Sequence, residues 1–162
     1  ICSGILASLI LSGFESQIQA VTALAIFIPI IGGTGGNVGV QASAIVVQSL
    51  ANGTLALKEF GRQIGKEVLV GLLNASIISA VMFCYNLIFL PGNFAVTISV
   101  AVSLFVVVMF ATILGSVVPL TLERFKINPA LATGPFIQIS NDIVGLVIYV
   151  WISTSFLKIF GA

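Results

Sequence analysis

Residues 68–90 and 94–122 contain no charged side chain. A helix needs about 20 mostly apolar residues to cross the ~30 Å hydrocarbon core of a bilayer, and both stretches are longer than that. Only 7% of the 162 residues are charged and 59% are hydrophobic. A soluble domain of this size carries about a quarter charged residues to cover its surface. The chain is therefore read as an all-α membrane protein with the bilayer as its solvent.

The remaining apolar runs set the expected topology. Residues 1–14 are too few to span and are read as a truncated first helix, closed by Glu15-Ser16-Gln17. The run 18–51 is long enough, but Gly32-Gly33-Thr34-Gly35-Gly36-Asn37-Val38-Gly39 interrupts it. Glycine in a helix interior costs about 1 kcal/mol relative to alanine, so five glycines in eight residues predict a broken helix. Asn52-Gly53 ends this element. Residues 58–67 are too polar to span, and Phe60 and Ile64 share a face, which predicts a short helix on the membrane surface. Two further spans follow, separated by the turn Pro91-Gly92-Asn93, with Pro119 near the end of the second. Asn128-Pro129 is placed to start a helix and Gly134-Pro135 to break it, before a last span over 136–160. The expectation is five transmembrane segments.

Charge placement orients them. Lys58, Arg62 and Lys66 lie in the loop after the second segment, and Arg124 and Lys126 in the loop after the fourth. Basic loops stay cytoplasmic, so the N-terminus is expected in the cytoplasm and the C-terminus outside, with Lys158 the one exception. The chain begins mid-hydrophobic at Ile1, which reads as a piece of a longer protein. No basic patch interleaved with aromatics is present, which argues against nucleic acid as a partner. Histidine is absent, removing the usual general base and the commonest metal ligand. Cys2 and Cys84 lack the spacing of a zinc pair and read as small buried hydrophobes.

One acid, Asp142, lies inside an apolar run, within Gln138-Ile139-Ser140-Asn141-Asp142. Aspartate at the centre of a membrane helix costs roughly 2.5–3.5 kcal/mol on insertion scales. Such a residue faces a partner or a water-filled cavity and marks an ion or proton path. Gln138, one turn earlier, shares its face. Asn37 and Gln41 add oxygens beside the glycine segment, with Gly36 and Thr34 as further lining, while the competing reading of those glycines is close helix packing. An intramembrane aspartyl protease needs two carboxylates and only one is inside a span, so an enzyme is not expected.

At these residues the chain resembles the MgtE family of magnesium channels and transporters. The resemblance runs through Phe27-Ile28-Pro29, Gly35-Gly36-Asn37-Val38-Gly39-Val40-Gln41 and Leu50-Ala51-Asn52-Gly53, then Glu67 and Gly71, then residues 128–135, and ends in Asn141-Asp142-Ile143-Val144-Gly145-Leu146-Val147-Ile148-Tyr149. It implies a homodimer in the cell membrane, five helices per subunit, and a pore on the dimer axis in which Asp142 binds hydrated Mg²⁺. Family members usually carry cytosolic regulatory domains before the first helix; here residues 1–162 would be the ion-conducting domain alone. The family usually has aspartate, arginine and threonine where this chain has Asn128, Gln48 and Gln138. Mg²⁺ would move down its electrochemical gradient into the cytoplasm, and the alternative is a proton- or sodium-coupled secondary transporter. The ion chemistry agrees: Mg²⁺ sheds water reluctantly and keeps an octahedral oxygen shell, so a few carboxylate and amide oxygens touching its waters suffice.

Overall fold

The computed structural model describes residues 2–13, 22–53, 60–89, 94–132 and 134–160. Its elements are α1 (Cys2–Gly13), α2 (Thr22–Ala25), α3 (Ile28–Ala51), α4 (Phe60–Phe89), α5 (Phe94–Arg124), a 3-10 turn (Pro129–Ala132) and α6 (Pro135–Phe160). Four of them, α3 to α6, are long and apolar enough to cross a membrane. Helix α1, with 12 residues, reaches about 18 Å at 1.5 Å per residue, short of a span. The protein is a multi-pass, all-helical membrane protein.

Helix α5 is the centre. It packs on α3, α4 and α6, while α3 and α6 also pack on each other and α1 rests on α6. With no hydrophobic drive between helices in lipid, association relies on close approach of small residues. Accordingly α5 buries Ala95, Ser99, Ala101, Ser103, Ala111, Thr112, Gly115 and Ser116 around its circumference. At the α4 crossing, a Cβ on Gly71 would lie 3.0 Å from Thr112 Cγ2, and Ser79 Oγ donates to the Ala101 carbonyl at 2.6 Å. Helix α5 closes with a Schellman arrangement: Lys126 N–H donates to the Glu123 carbonyl and Ile127 N–H to the Leu122 carbonyl, with Lys126 left-handed at φ 58°.

The glycine segment does not break its helix. Helix α3 runs without interruption from Ile28 to Ala51, through all five glycines. The break falls instead at Ile26–Phe27, between α2 and α3. Proline explains the position: Pro29 has no N–H for the Ala25 carbonyl and its ring would collide there, so a helix running through both cannot form. Phe27 N–H and the Tyr149 hydroxyl both donate to the Leu24 carbonyl, at 3.1 and 2.8 Å, and fasten the break to α6. The glycines stay helical because two of them, Gly35 and Gly39, sit where a larger residue would strike a neighbouring helix. A Cβ on Gly35 would lie 2.8 Å from Val107 Cγ1 on α5, and one on Gly39 would collide with the Asn141 amide on α6.

Two other expectations change. Residues 60–67 are not a separate surface helix; they form the first turns of α4, which is 30 residues long. Nothing there stops a helix, and at about 45 Å the helix exceeds the hydrocarbon core, so its polar turns extend past the apolar zone. Within them Gln63 Nε2 donates to Glu67 Oε1 at 2.9 Å. Cys84 is exposed on α4 rather than buried, because it lies on the side of α4 turned away from α5. The expected turn at 91–93, and the charges at Glu15, Lys58 and Glu59, lie outside the described residues. After α5, Asn128 Oδ1 accepts from Ala130 N–H at 3.0 Å and caps the 3-10 turn. The break at Gly134-Pro135 is where the sequence places it: Gly134 is left-handed at φ 71°, and Pro135 opens α6, where its missing N–H is no loss.

Candidate cation site

Asp142 is half-buried on α6 and lines a cleft of about 200 Å³ with Gly4, Ala7, Ile28, Pro29, Gly32, Gly33 and Leu146. The cleft thus brings together α1, the first turns of α3 and the middle of α6. Its glycine wall comes from Gly32 and Gly33, around which a Cβ would meet open space. Asp142 Oδ1 is buried and has no hydrogen-bond partner among the described residues.

What seats the carboxylate is Gly36. A Cβ built there would stand 2.5 Å from Asp142 Oδ1 and 3.1 Å from Gln138 Cγ. Only glycine leaves room for the acid to lie against the α3 backbone. Gly36→Ala should therefore push the carboxylate towards the cleft while leaving the fold intact, since the displaced group is the mobile end of a side chain. We expect a melting temperature within about 2–4 °C of wild type, the equivalent of about 1 kcal/mol in a chain of this size, together with altered divalent-cation binding in the cleft. Unaltered binding would mean that the carboxylate is not held at Gly36.

The structure gathers Asp142, Gln138 and Gly36 into one cluster. Asn37 and Gln41 stand elsewhere: one residue past Gly36 the helix has turned by about 100°, and Gly33, Asn37, Gln41 and Gln48 are all exposed on the outward side of α3. Gln138 is exposed as well, and Thr34 is half-buried. For the glycines, packing accounts for Gly35 and Gly39, and seating of the acid for Gly36. Among the described residues no three His, Cys, Asp or Glu side chains come together to hold a metal. A cation here would meet one carboxylate and neutral oxygens, an arrangement that suits an ion keeping its own waters.

The residue that sequence reasoning missed is Asn141. It is 1% exposed, with both amide atoms buried and unpartnered among the described residues. Its adjacency to Asp142 was visible in the sequence; its contact with Gly39 required the α3–α6 packing.

The profile of the MgtE family, described as a divalent cation transporter, matches residues 28–152. The chain belongs to the MgtE family. The matched region contains the whole of α3, α4 and α5 and Asp142 itself. Similar proteins include the magnesium transporter MgtE of Thermus thermophilus, 36% identical over 158 residues, which cover 98% of this chain and 35% of that protein. The magnesium transporter MgtE of Bacillus subtilis is 34% identical over 154 residues, covering 95% of this chain and 34% of that one. That of Enterococcus faecalis is 30% identical over 151 residues, covering 93% and 33%. The chain spans about a third of the length of these curated relatives. The MgtE family is one of ion transporters, not of enzymes.

Proposed function

We propose that residues 1–162 form the ion-conducting domain of a magnesium transporter, passing hydrated Mg²⁺ into the cytoplasm down its electrochemical gradient. The observation that carries this reading is the Asp142 carboxylate, set in a membrane helix against glycine backbone at the edge of a cleft. An acid in that position is expensive to insert. Asp142 binds the ion through its waters, Gln138 offers its amide to the same hydration shell and Gly36 gives the acid its seat, while Asn37 and Gln41 line the path from the outward face of α3. The names of the relatives, all magnesium transporters, support the choice of ion.

One carboxylate underbalances a divalent charge, and two chains meeting at an axis would supply two. The outward stripe of Gly33, Asn37, Gln41 and Gln48 on α3 supports such a homodimer, because polar side chains on a membrane helix face protein or water rather than lipid. A two-fold dimer is also the commonest oligomer. In this reading α1 belongs to the first of five spans. The basic ends of α4 and α5, at Arg62, Lys66 and Arg124, face the cytoplasm of the cell membrane, and the end of α6 lies outside.

Purified protein in liposomes, given Mg²⁺, Mn²⁺, Co²⁺ or Ca²⁺ in turn without a proton or sodium gradient, tests the proposal. Mg²⁺ uptake driven by its own gradient is expected, and no Mg²⁺ uptake overturns it; uptake that needs a proton or sodium gradient replaces the channel with a coupled transporter. In the same vesicles Arg62→Cys and Phe94→Cys should be labelled from opposite faces.

A further inference from the structure

We infer that Asn141 is a positioning residue that opens α3 at Gly35–Gly39, its side-chain amide replacing the helical hydrogen bond between those two glycines. In an α-helix the N–H of Gly39 donates to the carbonyl of Gly35. The Asn141 side chain lies against Gly39, where a Cβ would collide with Nδ2, and its main chain runs past Gly35, where a Cβ would come within 4.0 Å of the Asn141 main-chain oxygen. The amide is 1% exposed, and neither its nitrogen nor its oxygen has a partner among the described residues.

A buried, unpaired amide is unfavourable in both of its polar atoms, and more so at low dielectric. The straight helix leaves that deficit in place. When α3 opens, Asn141 Nδ2 donates to the Gly35 carbonyl and Asn141 Oδ1 accepts from the Gly39 N–H, so one hydrogen bond is exchanged for two. The next bond of the ladder, from Ser43 N–H to the Gly39 carbonyl, has a side-chain substitute of its own. The Ser43 hydroxyl is fully buried and unpaired among the described residues, and a serine hydroxyl in a helix can reach the carbonyl one turn back, here that of Gly39. Glycines at 35, 36 and 39 supply the backbone freedom the bend requires, and insertion of a side chain into the helical ladder is a recognised cause of sharp kinks.

The bend separates two parts of α3 with different roles. The first turns, with Ile28, Pro29, Gly32 and Gly33 beside Asp142, stay fastened through the Tyr149–Leu24 hydrogen bond. The part beyond Gly39, carrying Gln41 and Gln48 on the outward stripe, swings. The straight helix is then the closed state and the bent helix the open one.

Distance measurement between spin labels tests this directly. Labels are placed at Asn52→Cys, at the far end of α3, and Leu69→Cys on α4, with Cys2 and Cys84 changed to serine and labelled chains diluted in unlabelled ones. A kink of 20° at Gly39, thirteen residues from Asn52, displaces that end by about 7 Å. Wild type in nanodiscs, with Mg²⁺ and with EDTA, should show two distance populations separated by about that amount. Asn141→Ala should show only that of the straight helix, with Mg²⁺ flux reduced at least about tenfold because the open state is depopulated and with no loss of melting temperature. A single wild-type distance in both conditions overturns the inference, as does an Asn141→Ala protein that keeps both populations. The flux readout rests on the transport function proposed above, whereas the distances do not. A wild type that bends without transporting Mg²⁺ would refute only the function; one that transports without bending would refute only the role of Asn141.

Discussion

Asp142→Ala should reduce Mg²⁺ flux by at least about 100-fold in a protein that still folds. At an effective dielectric of about 20, two unit charges about 4 Å apart interact by about 4 kcal/mol, and a divalent ion doubles that. Even half of the smaller figure, at 1.4 kcal/mol per factor of ten, exceeds an order of magnitude, and in a dimer both copies lose the charge. The fold should not suffer. Asp142 Oδ1 makes no hydrogen bond among the described residues, and the carboxylate is unfavourable to insert. The melting temperature in detergent should stay level or rise. Asp142→Asn separates the two contributions of the side chain. It keeps the shape and an accepting oxygen but loses the charge, so if charge draws the ion it should conduct nearly as poorly as alanine. Flux close to wild type in Asp142→Asn would assign the effect to hydrogen bonds with the ion's waters. Wild-type flux in a folded Asp142→Ala protein would remove Asp142 from the path and direct attention to the glycine wall of the cleft.

The second large effect is on stability. Gly115→Ala should destabilise the protein by about 3 kcal/mol, the upper part of the usual range for overpacking. In a chain of this size that lowers the melting temperature by about 6–12 °C. A Cβ at 115 runs into the Gly39 carbonyl oxygen and stands 3.1 Å from Ala42 Cβ. The obstacle is backbone, which has no alternative rotamer, so α3 and α5 must move apart and loosen the neighbouring Gly35–Val107 contact. Gly36→Ala is the control, because there the obstacle is a movable carboxylate. Equal melting temperatures for the two variants would show that α3 and α5 do not approach closely at Gly39.

The contrast between these glycines shows where sequence reasoning stops. The crossing helices could be read from the chain because burying apolar side chains in lipid and satisfying backbone groups within one helix are local requirements. The break at Gly134-Pro135 was legible for the same reason: proline's missing N–H and glycine's access to φ 71° act within a few residues. Asp142 stood out because its insertion cost depends on the solvent, not on a partner. The four described helices long enough to cross a membrane, within a sequence reading of five, an acid on the last of them and membership of the MgtE family were therefore legible in the sequence itself.

Whether Gly32–Gly39 bends or stays straight could not be read in that way. Helix propensity opposes five glycines in eight residues by about 1 kcal/mol each, and that term alone favours a break. What opposes it lies far along the chain: Val107 against Gly35, Gly115 against Gly39 and Asp142 against Gly36. These contacts join residues separated by roughly seventy to a hundred positions, and each depends on the absence of a Cβ at a point known only once α3, α5 and α6 are packed. The same packing turned Gly36 towards Asp142 and left Asn37 and Gln41 facing outward. It also buried the Asn141 amide without a partner among the described residues. Sequence determined which segments enter the membrane and which acid they carry; tertiary structure decided which glycines pack, which one seats the acid, and which amide is left to compete for the helix beside it, because those outcomes follow from the distance between helix backbones.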